Sequence, residues 1–130
     1  MPAVYRTFDQ ATLDHQYDAQ ATVGDITPFI EMYAEGSEFA RARLPFKEAL
    51  PFGDSPEETL DLFPASDGAP LLVFIHGGYW RALSKNESSF MAPCMVQHGI
   101  ATAAVNYTLR PYATLDEIVA EARRALAWLY

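Results

Sequence analysis

"PLLVFIHGGYWRALSKNESS", Pro70 to Ser89, decides the fold. Its opening run, LLVFI over 71–75, is apolar on both faces, the way a strand buried in a parallel sheet reads. The run stops at His76 and two glycines, passes Tyr79 and Trp80, and only then becomes helix-like. Glycine has no Cβ, so at a strand end it lets the chain turn sharply and lets a ligand approach main-chain N–H groups. Two adjacent N–H groups at the carboxyl end of such a strand can point at one oxygen, and ligands in open α/β sheets bind at that end.

Downstream, Ser84-Lys85-Asn86-Glu87 is a capping-box pattern. It opens a helix with Phe90, Met91, Cys94 and Met95 inward and Gly99 as its C-terminal cap, Pro93 imposing a kink or a late start. Cys94 on that stripe reads as a small buried hydrophobe. "IATAAV" (100–105) is a second buried strand. After "NYTLRPYA", Thr114-Leu115-Asp116-Glu117 is another capping box. The helix behind it places Leu115, Ile118, Val119, Ala122, Leu126 and Leu129 on a 3.6-residue stripe.

Upstream, residues 8–19 read as a short helix with Leu13 and Tyr17 on one face. Thr27 then reads as an N-cap with Pro28 in the first turn, followed by a helix with Phe29, Ile30, Tyr33 and Ser37 on a stripe that Gly36 weakens. "FKEALPF" and "ETLDLFP" flank the turn-rich "GDSPE", a hairpin signal in which Leu60 and Leu62 face one side and Asp61 and Phe63 the other. The order is helices, hairpin, then strand–helix–strand–helix. That is α/β, a parallel sheet carrying an antiparallel edge. The expected organisation is a helical segment over 1–45 and a sheet domain over 46–130.

Composition narrows the function classes. The chain has 130 residues, half of them hydrophobic, enough for one small domain with a core. The net charge of −8 argues against a nucleic-acid partner. Residues 1–70 carry 4 Lys+Arg against 13 Asp+Glu and residues 71–130 carry 5 against 4, so the first half reads as a solvated acidic surface. No apolar run reaches membrane-span length, and the single cysteine fits a reducing compartment. A cytoplasmic protein with no membrane partner is expected. His15, His76 and His98 lack metal-ligand spacing, and no metal or organic cofactor is expected.

"VFIHGGYW" followed by "GIATAAVNYTLRP" resembles the α/β-hydrolase fold of the HGG-type esterases and lipases. Tyr79-Trp80 with Lys85, together with "LDHQYD" and "LDLFP", is most similar to bacterial kynurenine formamidases of the serine-hydrolase type. The resemblance implies hydrolysis of N-formyl-L-kynurenine to kynurenine and formate. It assigns the oxyanion hole to the backbone N–H groups of Gly78 and Tyr79, with Gly77 making room. Trp80 either lines the substrate pocket or packs in the core. His76 reads as a structural residue tying the loop down, and Tyr107 and Arg110 more as loop braces than as pocket groups. A carboxylesterase of the same fold, or a non-catalytic binding remnant, is the competing reading; a homodimer is compatible with each.

The chemistry further needs a nucleophile, a base and an acid, which in this fold follow in the order Ser, Asp or Glu, His, with the serine in G-x-S-x-G. The sequence contains no such motif. Ser88 and Ser89 lack a glycine elbow, and His98 falls at a helix end where the dipole favours it. The expectation is therefore the N-terminal half of a hydrolase whose other half, in the same or a second chain, carries the triad. On its own this half should be inactive. The implied strand order, 1-2-4-3-5-6, would also leave LLVFI as an exposed, aggregation-prone edge.

Overall fold

The computed structural model describes residues 2–130, in two compact units, one ending at Glu31 and one running from Met32 to Tyr130. The first unit contains helix α1, Gln10–Tyr17, whose cap is Asp9 accepting the Thr12 N–H at 2.9 Å. This two-turn helix buries no residue, and Tyr17 of the expected Leu13–Tyr17 face is exposed. A short 3-10 turn follows at Gln20–Thr22.

Helix α2, Thr27–Arg43, begins in the first unit and continues into the second. Thr27 is its first residue, not its cap; Asp25 Oδ1 accepts the Thr27 N–H at 2.9 Å. The buried positions are Ser37, the last residue of the expected stripe, and Ala40, one turn beyond it, while Phe29 is exposed. Gly36 is more than a weak point in the helix. A Cβ there would come 2.9 Å from Cβ of Phe90, whose ring stacks on Tyr33 with centroids 4.8 Å apart. The close approach of helix and loop requires the missing side chain.

The sheet has four strands: β1 (Lys47–Pro51), β2 (Thr59–Phe63), β3 (Leu71–Ile75) and β4 (Ala101–Val105), in the order β1-β2-β4-β3. β2 is antiparallel to both its neighbours, and β3 runs parallel to β4 with Ile75 opposite Val105. The mixed α/β sheet expected from the sequence is what forms. Leu60 packs with Ala103, Val105 and Ala125 on one face, and Phe63 with Ala40 and Ala92 on the other. β4 is buried from Thr102 to Val105, whereas β3 is the edge strand and leaves Leu71 and Ile75 exposed.

Both capping boxes form, Ser84 with Glu87 and Thr114 with Glu117. The first closes only a 3-10 turn, Lys85–Glu87, and α3 starts late, at Ala92–Gln97, with Pro93 in its first turn where no N–H is needed. Gly99 follows α3 with φ +75°, its N–H bonding the Val96 carbonyl at 3.0 Å. That late start rephases the helix. Ala92 is the residue buried, and Cys94, expected in the core, is exposed. α4, Leu115–Leu129, keeps Ile118 of its expected stripe in the core but is rotated the other way: Glu121 and Ala125 are buried beside it, while Leu115, Val119 and Leu126 are exposed.

The acidic first half is not uniformly solvated. Glu58 and Asp61 are both buried, Glu58 bonded to Arg124 (Nε–Oε1 2.6 Å) and Asp61 to Lys85 (Nζ–Oδ1 2.8 Å). A cation within hydrogen-bond reach compensates part of the cost of removing each carboxylate from water. Among the described residues no helix is long and apolar enough to cross a membrane.

Candidate functional site

The register of β2, β4 and β3 brings three segments to one edge of the sheet. Val105 faces both Leu60 and Ile75, so the chain leaving β3, the chain leaving β4 and the turn leading into β2 lie side by side. This is the carboxyl end of the two parallel strands, where ligands of open α/β sheets bind.

The segment leaving β3 turns through three consecutive left-handed residues, Gly78 (φ +107°), Tyr79 (φ +56°) and Trp80 (φ +58°). The N–H groups of Arg81 and Ala82 both reach back to the Gly78 carbonyl, each at 3.1 Å. A Cβ on Gly78 would collide with the backbone carbonyl of Ala82, so position 78 is closed to any side chain. Tyr79 and Trp80 tolerate the left-handed region at about 1–2 kcal/mol each, strain of the kind that collects at functional sites. Among the described residues, the N–H groups of Gly78 and Tyr79 donate to no protein acceptor. Gly77 is different: a Cβ there meets nothing within 4 Å.

The side chains at the turn face solvent. Tyr79 is 63% and Trp80 46% exposed, their rings 5.6 Å apart, with the Arg81 guanidinium 5.9 Å from the Tyr79 ring. Core packing, one of the two expectations for Trp80, is therefore not what the indole does.

Beneath the turn, His76 is buried. Its Nδ1 donates to the Gly77 carbonyl at 2.7 Å, which fixes the proton on Nδ1 and leaves Nε2 a buried acceptor without a partner. Burial lowers the His76 pKa below the ordinary 6.5, against the opposing pull of the Gly77 bond and the Glu87 charge. The ring stacks on Tyr107 at 4.3 Å and 9°. Tyr107 in turn donates its hydroxyl to the His76 carbonyl at 2.9 Å, and its own burial raises the phenol pKa. The Arg110 N–H donates to the Trp80 carbonyl at 2.8 Å.

Two residues that sequence reasoning did not assign to this edge, Asp61 and Asn106, also hold it, both through Lys85. Asp61 accepts from Lys85 Nζ and from the Ala49 N–H, both at 2.8 Å through Oδ1, and leaves Oδ2 buried without a partner. Asn106 accepts the Lys85 N–H at 3.1 Å and donates to Glu57 at 2.7 Å. The signal for Asp61 was present but ambiguous. It alternates with Leu60 and Leu62 and shares a side with Phe63, a pattern also produced by a solvated strand face.

Ser88 and Ser89 are buried, Ser88 Oγ donating to the Ser84 carbonyl at 2.6 Å and Ser89 donating its N–H to Ser37 Oγ at 2.9 Å while its own hydroxyl has no partner. His98 is exposed, its Nδ1 on the Cys94 carbonyl at 2.8 Å. Among the described residues no serine bonds a histidine. A cavity of about 330 Å³, with no residue of the turn in its wall, lies between the β1–β2 loop, the segment after β4 and α4, lined by Ser55, Glu58, Thr108 and Arg124 among others.

The BD-FAE family profile matches residues 60–130. Kynurenine formamidase from Salmo salar is 33% identical over 124 residues, 93% of this chain and 41% of that protein. Kynurenine formamidase from Danio rerio is 35% identical over 104 residues, 78% of this chain and 36% of that protein. A structure from Silicibacter sp. TM1040, named as a candidate thioesterase, superposes with a TM-score of 0.81 at 30% identity, covering 88% of this chain and 45% of that one. The chain thus spans about two fifths of the length of the curated relatives it matches.

Proposed function

The chain belongs to the BD-FAE family, and on that premise we propose that it supplies the oxyanion hole of a serine hydrolase acting on an aryl formamide, N-formyl-L-kynurenine. The observation that carries the reading is the run of uncommitted N–H groups from Gly77 to Trp80, those of Gly78 and Tyr79 at its centre, in a strained turn at the carboxyl edge of the sheet. The formamidase relatives supply the substrate class. In this reading residues 1–45 are an N-terminal segment, residues 46–130 are the first half of the hydrolase domain, and the Ser, Asp and His of the triad lie outside this chain.

The serine hydroxyl, giving its proton to histidine, attacks the formyl carbon. The carbonyl oxygen becomes an oxyanion accepting from Gly78 and Tyr79, the C–N bond breaks, and histidine returns the proton to the leaving aryl amine. Water then attacks the formyl-enzyme and releases formate. The two N–H groups are prearranged by the turn, so no donor has to reorganise as the charge develops. Gly77, with open space where its side chain would be, leaves room for the formyl group, and Trp80 offers an aryl ring a face to stack on.

A second reading, a thioester or carboxylic ester as substrate, is favoured by the Silicibacter neighbour's name and uses the same hole. The test is kcat/KM of the intact hydrolase on N-formyl-L-kynurenine against short p-nitrophenyl esters, with Gly78→Ala alongside. Gly78→Ala keeps the N–H but its Cβ collides with the Ala82 carbonyl, so the turn must shift and carry the donors off target. Its kcat should fall about 10²-fold or more, with a melting-temperature measurement confirming that the variant is folded. An unchanged kcat removes the oxyanion assignment, and an ester preference moves the substrate to the second reading.

A further inference from the structure

The ion pair between Lys85 and Asp61, with side chains 12% and 1% exposed, ties the chain that follows the glycine turn to the centre of the sheet. We infer that Lys85 and Asp61 are positioning residues for the oxyanion hole, acting through Ala82 on Gly78; the inference rests on the oxyanion reading above.

The connection runs through successive backbone contacts. Asp61 sits on β2, opposite Ala104 of β4, and is 1% exposed at the side chain. Its Oδ1 holds Lys85 Nζ at 2.8 Å, and Lys85 is the first residue of the 3-10 turn whose cap is Ser84. The Lys85 N–H is fixed independently on Asn106 Oδ1 at 3.1 Å, so the residue is gripped at its main chain and at its side-chain tip. Between Lys85 and the oxyanion turn lie only Arg81-Ala82-Leu83-Ser84, with Leu83 left-handed at φ +68°. Ala82 closes the circuit: its N–H bonds the Gly78 carbonyl at 3.1 Å and its own carbonyl fills the space a Gly78 side chain would take. A shift of Lys85 therefore reaches the Gly78–Tyr79 peptide through a short segment in which Leu83 is already left-handed.

Stability alone does not call for this pair. A buried ion pair is often no more stable than an apolar pair of the same volume, because desolvation offsets the attraction. Asp61 Oδ2 has no partner at all, so this pair is poor by that standard. What it offers that an apolar contact does not is a fixed donor–acceptor distance, and oxyanion stabilisation is lost when donors are misplaced by about 1 Å.

The test compares Lys85→Met, Lys85→Arg and the double variant Asp61→Asn/Lys85→Met in the intact hydrolase, reading kcat, KM and melting temperature, with Gly78→Ala as control. Lys85→Met should lower kcat at least about tenfold with KM changed less than about twofold, because the interaction is realised in the transition state. Lys85→Arg, which can still reach Asp61, should recover part of that loss. The double variant leaves no lone buried charge and keeps an acceptor for the Ala49 N–H, so it should recover melting temperature and not kcat. Recovery of kcat in the double variant, or an unchanged kcat in Lys85→Met while Gly78→Ala is impaired, overturns the positioning role. If Gly78→Ala is itself unimpaired, the oxyanion reading fails instead.

Discussion

β3 and β4 are parallel partners of five residues each, both apolar, and they end in opposite situations. β4 is flanked by β2 and β3 and is buried from Thr102 to Val105. β3 has one neighbour and leaves Leu71 and Ile75 about two fifths exposed. The chain after β4 goes straight into ordered contacts through Asn106 and Tyr107, whereas the chain after β3 enters the strained turn at Gly78–Trp80. Composition sets whether a strand can be buried; neighbours on both sides set whether it is. The free N–H groups belong to the less-supported strand, which depends on the better-supported one for its anchoring.

That contrast can be broken most severely at Asp61, which is paired with β4 and grips the segment after β3. Asp61→Ala leaves Lys85 as an uncompensated, nearly buried charge and should cost about 3–5 kcal/mol in urea unfolding of the intact hydrolase. A loss below about 1 kcal/mol would show that Lys85 escapes to water. The directly opposed residues Val105 and Ile75 give the sharper comparison. Val105→Thr places a hydroxyl at a fully buried site and should cost about 1–3 kcal/mol. Ile75 is an edge residue in this half of the sheet, and because the proposed second half covers β3, Ile75→Thr should cost a similar amount in the intact hydrolase. A cost within about 0.5 kcal/mol would leave β3 an edge. The smallest effect is pH-dependent. His76 has a depressed pKa when folded, so the unfolded chain binds the extra proton. The stability His76 contributes is full above the ordinary 6.5 and falls as the pH drops from there through the folded value. Melting temperature should therefore decline on mild acidification in the parent and less so in His76→Phe; parallel profiles would place the proton elsewhere.

Much of this was legible from residue patterns. The strands, the hairpin, both capping boxes and the late start at Pro93 each follow from local chemistry that tertiary contacts did not override. The β4–β3 adjacency came from the family resemblance, as did the placing of Gly78 and Tyr79. What was not legible depends on phase and partner. Cys94 faces out because α3 starts at Ala92, a shift of register that a hydrophobic count over 84–99 cannot detect. Leu115, Val119 and Leu126 scored as core by period, yet the buried face of α4 is set by Glu121, whose carboxylate accepts the Thr108 N–H at 2.7 Å. Asp61 and Glu58 looked like surface charge because their cations, Lys85 and Arg124, lie 24 and 66 residues away. Left-handed Tyr79 and Trp80 carry no sequence signature, since neither residue favours that region.

The strand order also bears on how the chain is made. β4 lies between β2 and β3, so β3 leaves the ribosome with no partner to pair with, and at about 5–20 residues per second the roughly 25 residues to β4 take on the order of a few seconds. During that interval LLVFI is an unpaired apolar segment, and a nascent-chain arrest reporter should register folding tension only once β4 has emerged. Tension appearing while β3 is still the last strand out would mean that it pairs first with something other than its final neighbour.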